Sequence, residues 1–290
     1  MKWKLDQLID KYKGCIVTQG FSQVQGVHYN KVFASTARMT AMRVVIMMAA
    51  AEDLELNLVD VLTVSLNGKI DVEIYMKILD GLSVEGGPGP GEDPKRWVVW
   101  LLKGLYGIKQ GPHIWGLKLH SVLTGISFKQ TDCDPSVYIY QRGGIRIMLP
   151  IHVDDLLLAS NSREVLRHVN SELGSHFKLH DLGPATSILG MKIVRDHTTR
   201  TVNLSQPGYI RSILDDFNMS DCNPCLTLMD EGTTLSVLMR LGMKAVPYRE
   251  LVGKLLYLTG PDIAYVIGML CRFVENPGEA HWNAAKHMVQ

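Results

Sequence analysis

The chain has 290 residues, 46% hydrophobic and 20% charged, which is enough for a proper core in one large or two ordinary domains and excludes intrinsic disorder. Thirty Lys and Arg against 29 Asp and Glu leave a net charge of +1, without the basic excess of a protein devoted to gripping nucleic acid, although a local groove stays open. No stretch reaches the ~18 consecutive apolar residues of a membrane span, Met1-Lys2-Trp3-Lys4 leads into charged sequence and not a secretory core, and five scattered cysteines argue for a reducing compartment. The expectation is an intracellular protein, cytoplasmic or nuclear and not secreted.

Residues 1–20 are basic and mixed, suggesting a short strand or loop. Met39, Met42, Val45, Ile46, Ala49 and Ala50 recur at helical spacing and predict a buried helix over 37–52. Apolar residues crowd 55–64, a strand candidate with Asp60 in its middle, and Asn67-Gly68 is a turn signal. A Gly/Pro-rich loop follows over 85–94, then a strand over 96–103 and a helix over 112–125 carrying Trp115, Leu119 and Leu123. Strands are expected over 136–140 and 145–152, and Ser162 caps an amphipathic helix over 162–177 with Glu164 in its first turn. Strands over 191–195 and 201–204 precede helices over 207–217, 248–258 and 261–274, and a last helix starts at Pro277. No internal repeat is visible. Interleaved strands and helices with a helical C-terminal part give an α+β class.

The densest chemistry is His152-Val153-Asp154-Asp155, framed by Ile147-Met148-Leu149 and Leu156-Leu157-Leu158. Two half-buried strands meeting at an acidic tip fit this pattern, because Asp is a favoured turn residue. Carboxylates beside so much apolar surface need a partner. Two readings stay open on local chemistry: a solvated Asp-Asp turn, or a site for a hard cation such as Mg²⁺, which takes oxygen ligands and leaves room for phosphate oxygens. Cys222-Asn223-Pro224-Cys225 has redox or zinc spacing but no flanking Cys or His pair, so two incidental cysteines at a turn compete with a metal reading.

Taken in order along nearly the whole chain, the motifs resemble the reverse transcriptase of copia-type LTR retrotransposon Pol polyproteins. They are Gln19-Gly20-Phe21-Ser22-Gln23, Asp60-Val61 with Leu66-Asn67-Gly68, and Leu105-Tyr106-Gly107-Ile108-Lys109-Gln110 with Pro112 and Trp115. After these come Asp134-Pro135, the Asp-Asp box, Asp181-Leu182-Gly183, Tyr248-Arg249-Glu250-Leu251, Pro261-Asp262-Ile263-Ala264-Tyr265 and Asn276-Pro277-Gly278. The resemblance implies a fingers–palm–thumb polymerase right hand, with a catalytic palm on an antiparallel sheet. Residues 1–195 would be the fingers–palm region and 196–290 a mainly helical thumb or connection-like part. It implies that Asp60 and Asp154 ligate metal and that Asp155 assists, with two Mg²⁺ ions as cofactor and Mn²⁺ as a substitute. It also implies a nucleotide pocket of Lys13, Ser65, Tyr106, Gly107 and Gln110, and a primer or template contact at His152. The implied partners are an RNA or DNA template with its primer and deoxynucleoside triphosphates, with no membrane. A packed aromatic beside a Gly turn remains the alternative for Tyr106.

The match breaks at positions the chemistry should not spare. His152 stands for the family's tyrosine, Ser65 for an aromatic that screens the ribose 2′-hydroxyl, and Leu62 for a lysine. Cys15 and His113 each replace an arginine, removing positive charge from a site that must hold a triphosphate. Pro150 enters the hairpin strand, where it removes a ladder donor and must be absorbed by a bulge or break the sheet. The segment 3–12 is shorter than the family's hairpin, Thr259-Gly260 lacks a few residues, and the sequence stops before any RNase H domain. The expectation is an eroded retroelement copy with intact carboxylates, either an RNA-directed DNA polymerase or a non-catalytic remnant that at most binds nucleic acid.

Overall fold

In the computed structural model, all residues are described except 1, 4–8, 12–13, 80–83, 90–91, 230–234, 237–245 and 259. The described elements are mixed α and β, with antiparallel sheets. In chain order they begin with a short antiparallel pair, β1 (Lys2–Trp3) and β2 (Ile9–Lys11). Then come α1 (Met39–Ala51), β3 (Glu55–Val61), β4 (Tyr75–Lys77), β5 (Val98–Trp100) and α2 (Gly111–Gly125). Next are β6 (Lys129–Gln130), β7 (Val137–Arg142), β8 (Ile145–His152), β9 (Asp155–Ser160), α3 (Arg163–His176) and β10 (Leu179–Pro184). The chain continues through β11 (Ser187–Ile188), β12 (Met191–Asp196), β13 (Thr201–Ser205) and α4 (Pro207–Asp216). It ends with α5 (Tyr248–Leu256), α6 (Ala264–Cys271) and α7 (Glu279–Val289). Among the described residues no helix is long and apolar enough to cross a membrane.

The chain divides into two units. Residues 1–186 with 195–202 make the first, and 187–194 with 203–290 the second. The first is built on a six-stranded sheet of order β10-β3-β9-β8-β7-β6, whose described neighbours pair antiparallel. Its hairpins explain that order: Gly143 and Gly144, both at positive φ, turn β7 into β8, and the acidic tip turns β8 into β9. In β9, Leu156 to Ser160 are all buried, so both faces of the sheet are covered. Val59, Val61, Ile147, Leu149, Ile151, Leu156 and Leu158 pack with α2 and α3 through Trp115, Leu119, Leu123, Val169, Leu173 and Phe177. The intervening residues face the other way, and α1 lies against β3, β8 and β9.

Several sequence expectations shift at element ends. The strand from Glu55 stops at Val61, because Thr63 takes left-handed backbone (φ 52°) and a 3-10 turn covers Val64–Asn67. The strand expected over 96–103 shortens to β5, with a 3-10 turn at Pro94–Arg96. The Gly/Pro-rich loop over 85–94 lies partly outside the described residues, as does the gap at Thr259. Pro150 neither bulges nor breaks the sheet. Ile147 pairs with Ser160 and Ile151 with Leu156 at the same offset, while the pairings of Leu149 and Pro150 are missing between them. Proline removes the N–H, so the ladder drops its bonds there and resumes in register.

The second unit pairs β11 with β12 and gathers its helices round a separate core of Ile213, Tyr248, Leu251, Leu255, Ile267 and Leu270. The buried Tyr248 hydroxyl donates to the Leu270 carbonyl at 2.8 Å, and burial pushes its pKa up.

Candidate active site

Asp60 lies at the end of β3, next to strand β9 of the acidic hairpin. The β3–β9 register pairs it directly with Asp155, and the β8–β9 register pairs Asp155 with His152. Directly opposed residues share a sheet face. On β10, His180 is opposite Asp60, so one row crosses four strands: His152, Asp155, Asp60 and His180. The flanking Val59, Val61, Ile151 and Leu156 belong to the α2–α3 core, which sets the row on the opposite face. Asp154 occupies the turn, and its carbonyl accepts from the Val61 N–H at 2.9 Å, which ties the tip to the end of β3.

The three carboxylates converge. Ligand oxygens of Asp60, Asp154 and Asp155 lie within 4.8 Å of one another, and all three residues are half-buried. They are the one such group of His, Cys, Asp or Glu among the described residues, and Cys222 and Cys225 have no part in it. Cys225 donates its backbone N–H to the Gln290 carbonyl, and both cysteines are free thiols. Hard carboxylate oxygens at this separation suit a hard divalent cation such as Mg²⁺ or Mn²⁺. Without one, they repel.

The turn is strained. Val153 is a β-branched residue at φ 60°, while Asp154 keeps negative φ, the sign pattern of a type II′ turn whose first central position favours glycine. Such backbone costs about 1–3 kcal/mol and persists only where the surroundings hold it. Here the buried Trp115 of α2 donates its indole N–H to the Val153 carbonyl at 2.8 Å. Phe177 packs edge-on against the Trp115 ring, with centroids 5.1 Å apart. On the other side, the Ile151 carbonyl accepts from Ala37, and Asp134 accepts from the N–H groups of Arg38 and Ser136. Sequence reasoning saw Trp115 as core and as part of a family string and missed the bond. Its one signal was an indole N–H in a buried helix, which needs an acceptor.

The implied nucleotide-pocket residues are partly drawn together. Thr18 donates twice to the Tyr106 carbonyl, zipping the segment around Gly20 to the Tyr106–Gly107 turn. Gly107 sits at φ 95°, and a side chain there would meet the Thr18 carbonyl at 2.2 Å, so only glycine fits. Gln110 is buried, with its amide committed internally: Nε2 donates to the His28 carbonyl and Oε1 accepts from Gln23. Ser65 is half-buried in the 3-10 turn after β3, and Tyr106 is half-buried too. His113 bonds the Phe33 carbonyl at 2.8 Å. The buried Nδ1 of His152 has no protein partner. Lys13 lies outside the described residues.

The family model described as reverse transcriptase (RNA-dependent DNA polymerase) matches residues 1–231. The chain is 37% identical over 292 residues to the retrovirus-related Pol polyprotein from transposon TNT 1-94 of Nicotiana tabacum, covering 97% of this chain and 21% of that protein. It is 29% and 30% identical to the Pol polyproteins from transposons RE2 and RE1 of Arabidopsis thaliana, covering 100% of this chain and 19% of each. It thus spans about a fifth of the length of these relatives. A carboxylate cluster at a sheet hairpin, the ordered motifs and this likeness converge, and the chain belongs to the reverse transcriptase family, within the copia-type transposon Pol polyproteins.

Proposed function

We propose that the chain is an RNA-directed DNA polymerase module, joining a deoxynucleotide to a primer 3′-end on an RNA or DNA template. The observation that carries this is the convergence of Asp60, Asp154 and Asp155 on one face of the sheet. In this reading, residues 1–195 supply fingers and palm and 196–290 a thumb or connection-like part, acting inside the cell. Asp60 and Asp154 would hold two Mg²⁺ ions, with Asp155 assisting. When bound, these ions supply neutralisation of charge on the attacking 3′-oxygen and the leaving pyrophosphate. The chain's own residues do the positioning. The β3–β9 pairing fixes Asp60 against Asp155, and Trp115 fixes the turn that presents Asp154. Ser65, Tyr106, Gly107, Gln110 and Lys13 border the nucleotide, and His152 meets the primer end.

The decisive assay is primer extension on an RNA template in Mg²⁺ and in Mn²⁺, beside Asp154→Asn. Incorporation that disappears in the variant supports the reading. Folded protein that incorporates no more than the variant refutes it.

A second reading, a non-catalytic remnant that at most binds nucleic acid, is favoured by the residues round the cluster. Cys15 is an exposed thiol where an arginine is expected, Ser65 offers no ring, and the Gln110 amide is already used. Reversion separates the two. If Cys15→Arg with Ser65→Phe raises incorporation, the polymerase is weakened by erosion; if nothing changes from zero, the remnant reading stands.

A further inference from the structure

Pro150 leaves β8 short of bonds to β9 just before the strand runs into the acidic turn. Residues along an antiparallel strand alternate in the neighbour they bond. Ile151 stands opposite Leu156 of β9 but sends both of its backbone groups to the other side. Its N–H donates to the Ser136 carbonyl at 2.9 Å, and its carbonyl accepts from the Ala37 N–H at 2.8 Å. Two segments far apart in sequence therefore grip one residue of the hairpin, next to the proline.

Asp134 joins those two segments. It is buried, 4% exposed, and has no ion-pair partner among the described residues. Its Oδ1 accepts from the Ser136 N–H at 2.9 Å, and its Oδ2 from the Arg38 N–H at 3.0 Å. Arg38 opens α1, a helix with no acidic residue in its first turn and no side-chain cap of its own. A carboxylate on the N–H of a helix's opening residue does what the glutamate of a capping box does, here from 96 positions away. The positive end of the α1 dipole favours the charge there. An amide could accept through one oxygen only, so two backbone donors call for a carboxylate in spite of its desolvation cost.

We propose that Asp134 is a positioning residue for the carboxylate hairpin, supplying through Ile151 the hold that Pro150 removes on the β9 side. Asp134 stands outside the group of three carboxylates. It acts by fixing Ser136 on one side and Ala37 with Arg38 on the other, the two jaws that close on Ile151. The strand end that leads into His152 and the acidic turn is thereby set. The proposal rests on the polymerase reading only in taking the carboxylates to bind metal for catalysis; the clasp itself needs no catalysis.

The test compares wild type, Asp134→Asn, Pro150→Val and the double variant by hydrogen exchange with mass spectrometry and by Mn²⁺ titration calorimetry. Asparagine keeps the shape and forfeits one acceptor. With proline at 150, Asp134→Asn is expected to speed amide exchange over 147–158 by about tenfold or more, the size of a lost hydrogen bond to a charged group, while α3 exchanges as before. Mn²⁺ affinity is expected to fall by about tenfold, as when an outer support of a metal ligand is removed. Valine restores a donor toward β9, so in that background the same substitution is expected to change either quantity by no more than about twofold. Unchanged hairpin exchange in folded Asp134→Asn, faster exchange at level Mn²⁺ affinity, or equal losses with proline and with valine would each overturn the proposal. If Asp134→Asn does not fold, a folded double variant supports the proposal and an unfolded one overturns it. A wild type that binds no Mn²⁺ sinks the polymerase reading alone, and exchange then judges Asp134. Mn²⁺ binding with hairpin exchange indifferent to Asp134 sinks the positioning role alone.

Discussion

The indole N–H of Trp115 and the carbonyl of Val153 are 2.8 Å apart, across the end of a sheet whose opposite face carries the carboxylates. A residue buried beneath the sheet therefore holds the turn that presents Asp154 above it. Trp115→Phe keeps the ring against Phe177 and deletes the bond. A net loss of about 1 kcal/mol is expected, read as a fall in midpoint of a few degrees on thermal unfolding. Mn²⁺ affinity measured by calorimetry is expected to fall with it. If stability falls and Mn²⁺ binding stays level, the bond braces the fold and not the carboxylates.

Val153→Gly addresses the same turn from within. Glycine takes positive φ freely, so relief of strain offsets its entropy cost in the unfolded chain. Val153 is also 44% exposed, so little packing is lost. Stability is expected to hold or rise in chemical denaturation. A drop of more than about 1 kcal/mol would mean the turn stores no strain.

Three carboxylates within 4.8 Å repel in the absence of a cation. Added Mg²⁺ or Mn²⁺ is expected to raise the unfolding midpoint, by about 2.7 kcal/mol of stability at one hundred times its dissociation constant. Asp154→Asn is expected to melt higher than wild type without metal and to lose most of the response to it. A wild-type midpoint unmoved by either cation would refute the metal site.

Asp53 closes α1 at positive φ, accepting from His197 and Arg195, and Arg195 also donates to the Ala49 carbonyl. The hydrogen bond from His197, then its charge and that of Arg195, holds the Asp53 carboxyl below the ordinary value of 3.8. A depressed carboxylate adds stability above its unfolded value and loses it as pH falls through the folded one. Asp53→Asn is therefore expected to lower the melting temperature at neutral pH, with the difference closing below about pH 3.8. A gap of constant size from pH 7 to pH 3 would contradict this account.

Much of this was legible because it is periodic or local. Helical spacing marked α1 and α2, the capping serine marked α3, and continuous apolar runs on either side of two aspartates marked the β8–β9 hairpin. The partnership of Asp60 with Asp155 was accessible only through the family likeness, because register across nearly a hundred residues leaves no local trace. β10 was not read as a strand. Its sequence, Leu179-His180-Asp181-Leu182-Gly183-Pro184, looks like a turn, and it pairs only at the sheet edge, with a register shift at Gly183. The Trp115 bond and the internal use of the Gln110 amide were illegible, since both depend on where a distant backbone carbonyl falls.

Pro150 has a consequence beyond its missing bonds. Side chains alternate faces along a strand, so one extra residue between Leu149 and Ile151 would send His152 into the apolar layer beneath and bring Ile151 to the top, out of step with Asp155 and Leu156 on β9. The proline subtracts a donor without adding a residue, and the even-and-odd count survives. The hairpin can thus weaken by degrees while its carboxylates keep pointing the same way, so damage here shows as easier opening of the strand pair long before it shows as a misdirected aspartate.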